Sequence, residues 1–272
     1  MTAKTTVVGY IDSYGKEQCW NWAMSLKQFY TGKVVIIATR ISQETYDWLK
    51  SLGFEVYTHL PHGTAPVVTR FLYMWKLIEM GKIDSEWVIM SDVKDVVFQD
   101  DLENYFAYLY GCHIVGGPEN VLYKDEPWGA ENMQASFPYN WDAMKDREII
   151  NAGTFAAHLW EMRELCMLVW YMSLGCDRVH NPDQAALNII LNTELYRSRV
   201  FMASIDEHRY AIQIGTTFDP NKKLQQVTSL NGIAWDADGY VGNGVGHYCI
   251  VHQYDRNPEL KALIDARYRN VR

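Results

Sequence analysis

The stretch Trp87-Val88-Ile89-Met90-Ser91-Asp92-Val93-Lys94-Asp95-Val96-Val97-Phe98-Gln99 drives an apolar strand straight into two carboxylates three positions apart. A run this apolar fits a strand buried on both faces, as in a parallel sheet with helices on each side. In such a sheet, ligands bind in the crevice outside the carboxyl ends of the strands. Asp92 and Asp95, with Lys94 between them, then stand where a divalent cation would bridge two phosphate oxygens. Hard cations take oxygen ligands and complete their shell from substrate phosphates. The same residues also suit a plain turn, because Asp bonds its own backbone, and the segment alone leaves both readings open.

Outward from this stretch, strand-like runs alternate with helical ones. Residues 7–11 form a short apolar strand, after which Cys19, Trp22, Ala23, Leu26, Phe29 and Tyr30 recur at helical spacing. Residues 34–38 read as a second buried strand, and Ser42 as the N-cap of a helix that stops at Gly53. A third strand over 54–60 and a long helix over 67–80, closed by Gly81, precede the Trp87 strand. Beyond it come a helix over 102–110 ended by Gly111 and a strand over 113–115. This alternation predicts an α/β fold with a mostly parallel central sheet and helices on both faces.

Residues 116–145 are rich in Gly, Pro, Asn and Trp and lack a period, which predicts an irregular segment that is functional or mobile. Its Trp128, Phe137, Tyr139 and Trp141 either form an acceptor-side wall or pin a loop to the core. Residues 148–157 read as one strand that turns to very small residues midway, where a ligand can approach the backbone closely. A long apolar helix over 159–174 is closed by Gly175. In His180-Asn181-Pro182-Asp183-Gln184-Ala185-Ala186-Leu187-Asn188, Asn181 suits an N-cap, Pro182 the first helical position and Gln184 the capping-box position. The alternative is that Asp183 and Gln184 point into the same cleft as the carboxylates. After a loop-rich stretch over 216–246, a strand delivers His252 at its end before Asn257 and Pro258 open a terminal helix. A lone His there is structural or simply titrates, but beside two Asp it would complete a metal shell.

Composition narrows the class. At 272 residues and 48% hydrophobic content, the chain is one large domain or two small ones. With 25 basic and 33 acidic residues, its net charge of −8 argues against a sequence-independent grip on nucleic acid. Met1-Thr2-Ala3-Lys4-Thr5-Thr6 leads directly into a strand, without a signal peptide's apolar region, so the mature protein is expected to start here. The longest charge-free candidate, residues 165–176, is about half of a membrane span. Five scattered cysteines predict no disulfide framework and a reducing compartment, and without C-x-x-C spacing they disfavour zinc.

Four segments in order carry a family resemblance: Asp92 to Gln99, Asn151-Ala152-Gly153, Asp183 to Asn188, and Ile250-Val251-His252-Gln253-Tyr254-Asp255-Arg256. Together they resemble nucleotide-sugar glycosyltransferases of the GT-A fold, over residues 7–256 apart from the loops at 120–145 and 216–246. The chain is similar to family 8-like enzymes and to capsid-glycosylating transferases of large DNA viruses. The resemblance implies a single GT-A (Rossmann-like) domain over 1–272, with a nucleotide-binding half over about 1–118 and a donor-sugar and acceptor half over about 119–272.

It further implies that Asp92, Asp95 and His252 hold Mn²⁺ or Mg²⁺ on the donor diphosphate, the imidazole tilting the choice toward Mn²⁺. Asn151, Ala152 and Gly153 would line the donor sugar, and Asp183 and Gln184 would meet it near the reacting carbon. Asp12 and Tyr14 would meet the base or ribose, and Arg70 would be directed at the donor. Lys94 would neutralise a phosphate or pair with Asp92. The family's acidic motif has one residue between its carboxylates, whereas this chain has Val93 and Lys94.

The implied activity is metal-dependent transfer of a hexose or pentose from a UDP- or GDP-linked donor to a hydroxyl of a glycan or glycoprotein. If configuration inverts, Asp183 is the candidate general base; if it is retained, Asp183 or Gln184 stabilises the sugar from its face. The expected location is the cytoplasm of a cell or of a virus-infected host. Two rivals stay open. A sugar-nucleotide nucleotidyltransferase should carry a Gly-rich basic loop after its first strand, and Ile11-Asp12-Ser13-Tyr14-Gly15-Lys16 is a poor match. A non-catalytic sugar- or partner-binding module is opposed by the intact Asp92, Asp95, Asp183 and His252.

Overall fold

A computed structural model describes residues 4–107, 109, 111–176, 181–205, 207–217 and 233–269. The chain opens with β1 (Thr5–Asp12), α1 (Lys16–Phe29), β2 (Lys33–Thr39), α2 (Gln43–Ser51), β3 (Glu55–Thr58) and α3 (Pro66–Glu79). It continues through β4 (Trp87–Ser91), β5 (Val96–Phe98), α4 (Leu102–Ala107), β6 (Ile114–Gly116), β7 (Pro118–Leu122), α5 (Pro127–Ser136) and α6 (Trp141–Met144). Then follow β8 (Glu148–Ile150), β9 (Thr154–His158), α7 (Leu159–Ser173), α8 (Pro182–Leu191), α9 (Glu194–Arg197) and β10 (Val200–Met202). The last elements are β11 (Ala211–Gln213), α10 (Ile214–Thr217), β12 (Ala234–Trp235), β13 (Val241–Gly242), β14 (Ile250–His252) and α11 (Pro258–Arg269).

Seven strands make the central sheet in the order β10-β6-β9-β4-β1-β2-β3. The pairs β1/β2, β1/β4, β2/β3 and β6/β10 are parallel, and β9 runs antiparallel to both β4 and β6. Side chains alternate between two cores, as the strand period requires. Val7 and Ile11 of β1, with Val34, Ile36 and Ala38 of β2, face a core that includes Trp22, Phe98 and the α11 residues Leu260, Ile264 and Tyr268. Val8, Val35, Ile37, Val88 and Met90 face the other core, with Phe71 of α3, Leu165 of α7 and Leu187 of α8. Burial on both faces is why these strands read as continuous apolar runs. Each fully buried Phe or Ile contributes about 1.5–3 kcal/mol.

The antiparallel β9 brings distant segments of the chain together. Because it runs against β4, its beginning lies beside the end of β4, with Ser91 opposite Thr154. The residues just before β9 are thereby joined to those just after β4, and Asp92 N donates to Gly153 O at 2.8 Å. A second sheet of three strands, β11-β14-β5, continues from the Asp92 turn, with β14 antiparallel to β5 and parallel to β11.

Several expectations need correction. Residues 116–145 are not irregular: they hold β7, α5 and α6, packed on a small core of Val121, Tyr123, Met133, Met144, Ile149 and Ala185. The helix α5 buries Gly129, Asn132 and Met133, so it shows no apolar period. Residues 148–157 are two strands, β8 and β9, which join different sheets because the chain turns at Asn151-Ala152-Gly153. The helix expected over 102–110 ends at Ala107, with positions 108 and 110 outside the described residues. His180 and residues 218–232 of the loop-rich stretch also lie outside them. The Gln184 capping box does not form, since Asn181 makes no side-chain cap bond and Gln184 spends its amide elsewhere. By contrast, Ser42 does cap α2, and Asn257 Oδ1 accepts from Glu259 N and Leu260 N at the start of α11.

Candidate active site

The Asp92–Asp95 turn is held by tight packing beneath it. Ser91 Oγ accepts from Trp22 Nε1 at 3.0 Å and donates to Asp92 O at 2.7 Å. Gly9 lies opposite Ser91 on β1, and a Cβ there would fall 2.7 Å from Val93 Cγ2 and 2.9 Å from the Trp22 ring. Glycine at this position lets the buried Val93 seat, and the turn then lifts Asp92 and Asp95 into a cleft. Asp95 O accepts from Gln253 N at 2.7 Å, fixing the end of β14 against the turn.

His252, the last residue of β14, is almost fully buried and aims at both carboxylates. Its Nε2 lies 3.4 Å from Asp92 Oδ2 and 3.6 Å from Asp95 Oδ1. Its Nδ1 lies 2.7 Å from Gln213 Oε1, and Gln213 Nε2 in turn donates to Thr154 Oγ1 at 2.8 Å. Because Gln213 spends its amide nitrogen on Thr154, its oxygen faces the ring, so Nδ1 carries the hydrogen and Nε2 points at the carboxylates. One donor atom from each of Asp92, Asp95 and His252 lies within 4.8 Å of the others. A Cβ on Gly153 would stand 2.5 Å from Asp92 Oδ2 and 2.9 Å from His252 Cε1, so glycine keeps this space open. Two carboxylates, an oriented imidazole and a cleared space fit a divalent cation with both oxygen and nitrogen ligands.

The electrostatics are uneven. Burial would raise Asp92, but the guanidinium of Arg70 and the imidazole of His252 outweigh it and hold the carboxyl well below its ordinary range. Burial raises Asp95, with His252 opposing and Asp92 adding to the rise. Burial would lower His252, yet the fields of Asp95 and Asp92 leave it raised. The imidazole therefore sits in a strongly negative field, the setting a cation would meet.

Arg70, on α3 and buried, links this cluster to the next. It pairs with Asp92 through Nη1, and its Nη2 donates to Asp183 Oδ2 at 2.7 Å and to Ala152 O at 3.2 Å. Asp183 and Gln184 open α8, and Gln184 Oε1 accepts from Ala152 N at 3.1 Å while its Nε2 donates to Glu119 Oε1 at 3.1 Å. Asn151 Nδ2 also donates to Glu119 Oε1, at 2.8 Å, and Asn151 Oδ1 accepts from Gly153 N at 2.7 Å. Asn188, one helical turn on, accepts from Ile150 N and donates to Ile150 O, both at 2.8 Å. The first turn of α8 is thus fastened along the 150–153 backbone.

The structure brings Arg70, Asp92, Asp95, Asn151, Ala152, Gly153, Asp183, Gln184 and His252 around one cleft of about 520 Å³. Three other expected residues lie elsewhere. Asp12 takes Thr39 Oγ1 at 2.6 Å and Arg40 Nε at 2.8 Å, and lines an adjoining cleft of about 320 Å³ with Tyr10, His62 and Thr64. Tyr14 is half-buried close by; burial, then the fields of Asp92 and Asp95, push its phenol up. Lys94 is exposed and does not line the main cleft. That cleft also takes in Glu119, Glu126 and Thr216, which were not singled out from sequence, with Trp128, and with Gln253 and Arg256, which were quoted only as part of the last motif. Phe137 and Trp141 pack on the small core, while Tyr139 is exposed.

No family model matches the sequence, and no curated protein matches it. Among solved structures, the apo structure of the bifunctional glycosyltransferase WbbM aligns with 93% of this chain at a TM-score of 0.60 and 14% identity. The chain spans 46% of the length of that protein. Likeness at this identity concerns architecture alone, and with the seven-stranded, mostly parallel sheet flanked by helices it shows that the chain has the GT-A glycosyltransferase fold.

Proposed function

We propose that this protein transfers a sugar from a nucleoside-diphosphate donor to an acceptor hydroxyl, with Mn²⁺ or Mg²⁺ held by Asp92, Asp95 and His252. One observation carries the reading: the paired carboxylates of Asp92 and Asp95 and the sequence-distant His252 converge on a space that only a glycine leaves open. When bound, the cation would stabilise charge gathering on the departing diphosphate. The chain's own residues do the rest. Arg70 pairs with Asp92 and Asp183 and fixes both carboxylates at the cleft. Asn151, Ala152 and Gly153, anchored by Glu119 and Gln184, present a rigid polar floor to the donor sugar. Asp183 faces that floor from the first turn of α8; burial raises its pKa despite Arg70, which suits a proton acceptor if the reaction inverts. Trp128, half-exposed on the cleft wall, offers an aromatic face to a glycan or glycoprotein acceptor, and the buried Glu119 and Glu126 line the same cleft. Within this proposal, the four sequence motifs resemble those of family 8-like and viral capsid-glycosylating transferases.

Thermal unfolding against a panel of nucleoside diphosphates and nucleotide sugars, with Mn²⁺ or EDTA and beside Asp95→Ala, tests it. A ligand at about a hundred times its dissociation constant adds about 2.7 kcal/mol. Stabilisation by one nucleotide class that needs Mn²⁺ and is lost in Asp95→Ala is the expected result, and it names the base. No shift with any nucleotide would remove the donor site. Nucleotide binding without donor cleavage on any tested acceptor would point to the binding-module reading instead.

A further inference from the structure

The opposite end of the sheet gathers a second set of metal-type donors. His113 stands just before β6, His158 ends β9, and Glu161 lies in the first turn of α7. His158 is in register with Trp87 at the start of β4, while Asp92 follows the end of that strand. At about 3.3 Å per residue, the five-residue strand separates the two clusters by about 16 Å.

One donor atom from each of His113, His158 and Glu161 lies within 4.8 Å of the others. His113 Nδ1 is 2.8 Å from Glu161 Oε1, and the two imidazole rings are 5.0 Å apart. Backbone bonds hold the arrangement: His158 N donates to His113 O at 2.8 Å, His113 N to Arg199 O at 3.1 Å, and Leu159 N to Glu86 O at 3.1 Å. The His158 ring rests edge-on against Trp87 at 4.2 Å. Glu161 is buried and His113 half-exposed, so the set is rigid inside and open to solvent on one side. Arg199 Nη1 stands 3.5 Å from Glu161 Oε1 and shares that carboxylate.

We propose that His113, His158 and Glu161 form a second metal site, for a borderline transition ion such as Zn²⁺, which clamps β6, β9 and α7 together. Two imidazoles and one carboxylate are a three-ligand set that Zn²⁺ completes with water. Imidazole selects Zn²⁺, Cu²⁺ or Ni²⁺ over Mg²⁺ and Ca²⁺, so this site and the carboxylate-rich cleft sort ions differently. Binding requires the ring nitrogen that faces the ion in each histidine to carry no hydrogen, and Arg199 to withdraw from Glu161. Burial and the neighbouring His113 lower His158, keeping it in the neutral form that ligates. Cysteine spacing gave no hint of zinc because these ligands are histidines and a glutamate brought together by β9 pairing with β6.

The test is equilibrium dialysis of metal-stripped protein against Zn²⁺, with Asp95→Ala as the background so that the cleft is crippled. The expected result is one retained equivalent of Zn²⁺, bound at least about tenfold more weakly after His113→Ala or His158→Gln. Arg199→Gln should bind it more tightly, because a competing cation is gone. His113 is half-exposed, so its substitution leaves the core intact, and Arg199→Gln gives a change in the opposite direction that misfolding would not. Zinc binding unaltered by these three substitutions, or abolished by Asp95→Ala alone, would overturn the proposal while leaving the cleft untouched.

Discussion

Arg70 shows how a single side chain decides the chemistry around it. Buried on α3, it neutralises Asp92 and Asp183 at once and also donates to Ala152 O. Removing a guanidinium from two carboxylates leaves buried charge without a partner, which costs about 3–5 kcal/mol. Asp183→Asn, by contrast, leaves Arg70 paired with Asp92 and sacrifices one charged hydrogen bond, for a cost of about 1–3 kcal/mol. Arg70→Met is therefore expected to destabilise the protein more than Asp183→Asn. Urea unfolding of the two variants checks this order, and the reverse order would mean that Arg70 does not organise the cluster. In the sequence the residue stands out only through the family resemblance, which directs it at the donor. Its partners are 22 and 113 positions away, and no local pattern connects them.

At the scale of elements, the link from β3 to α3 sets where Arg70 stands, and a histidine fastens it. His59 N donates to Ala38 O at 2.9 Å, its ring stacks on Tyr73 at 4.2 Å, and the Tyr73 hydroxyl donates to Leu60 O. Burial, then the charge of Lys76, lowers the His59 pKa below its ordinary 6.5. A histidine depressed in the folded state contributes stability that is full above 6.5 and is lost as pH falls through the folded pKa. The loss in unfolding free energy between about pH 8 and about pH 5 should therefore be smaller in His59→Phe, which keeps the stack but cannot charge. An equal loss in both proteins would show that His59 does not titrate against the fold. The strands and helices up to Ser91 were legible because each carries one period and one terminator, such as Ser42 before α2 or Gly81 after α3. Beyond residue 116 the signals change. The helix α5 buries a Gly and an Asn where an apolar face is expected, so periodicity cannot find it. The small residues at 151–153 mark a turn between two sheets, although the strand pattern runs straight through them. Gln184 occupies the capping-box position yet serves Ala152 and Glu119, because a buried amide is worth more to the backbone it satisfies than to a helix end.

For the whole molecule, the cleft depends on the two sheets meeting. The large sheet supplies Asp92 and, through antiparallel β9, the Asn151–Gly153 backbone; the small sheet supplies Gln213 and His252; α3 and α8 supply Arg70 and Asp183. The strands' carboxylates and the late histidine could be picked from sequence because each ends an apolar run. Glu119 and Glu126, which line the cleft, and Gln213, which orients His252, could not, since only this tertiary arrangement brings them there. The same arrangement makes a prediction about response. A nucleotide and Mn²⁺ held at Asp92, Asp95 and His252 would tie both sheets at one point, because Asp92 N already bonds Gly153 O and Gln253 N bonds Asp95 O. Local opening of any of these segments must then break contacts in the others. Hydrogen exchange should accordingly slow together around Asp92, Ala152–Gly153 and His252–Gln253 when a nucleoside diphosphate and Mn²⁺ are added, and in none of them in Asp95→Ala. Protection confined to one segment would mean that the ligand rests on one sheet alone, and the shared metal centre would have to be abandoned.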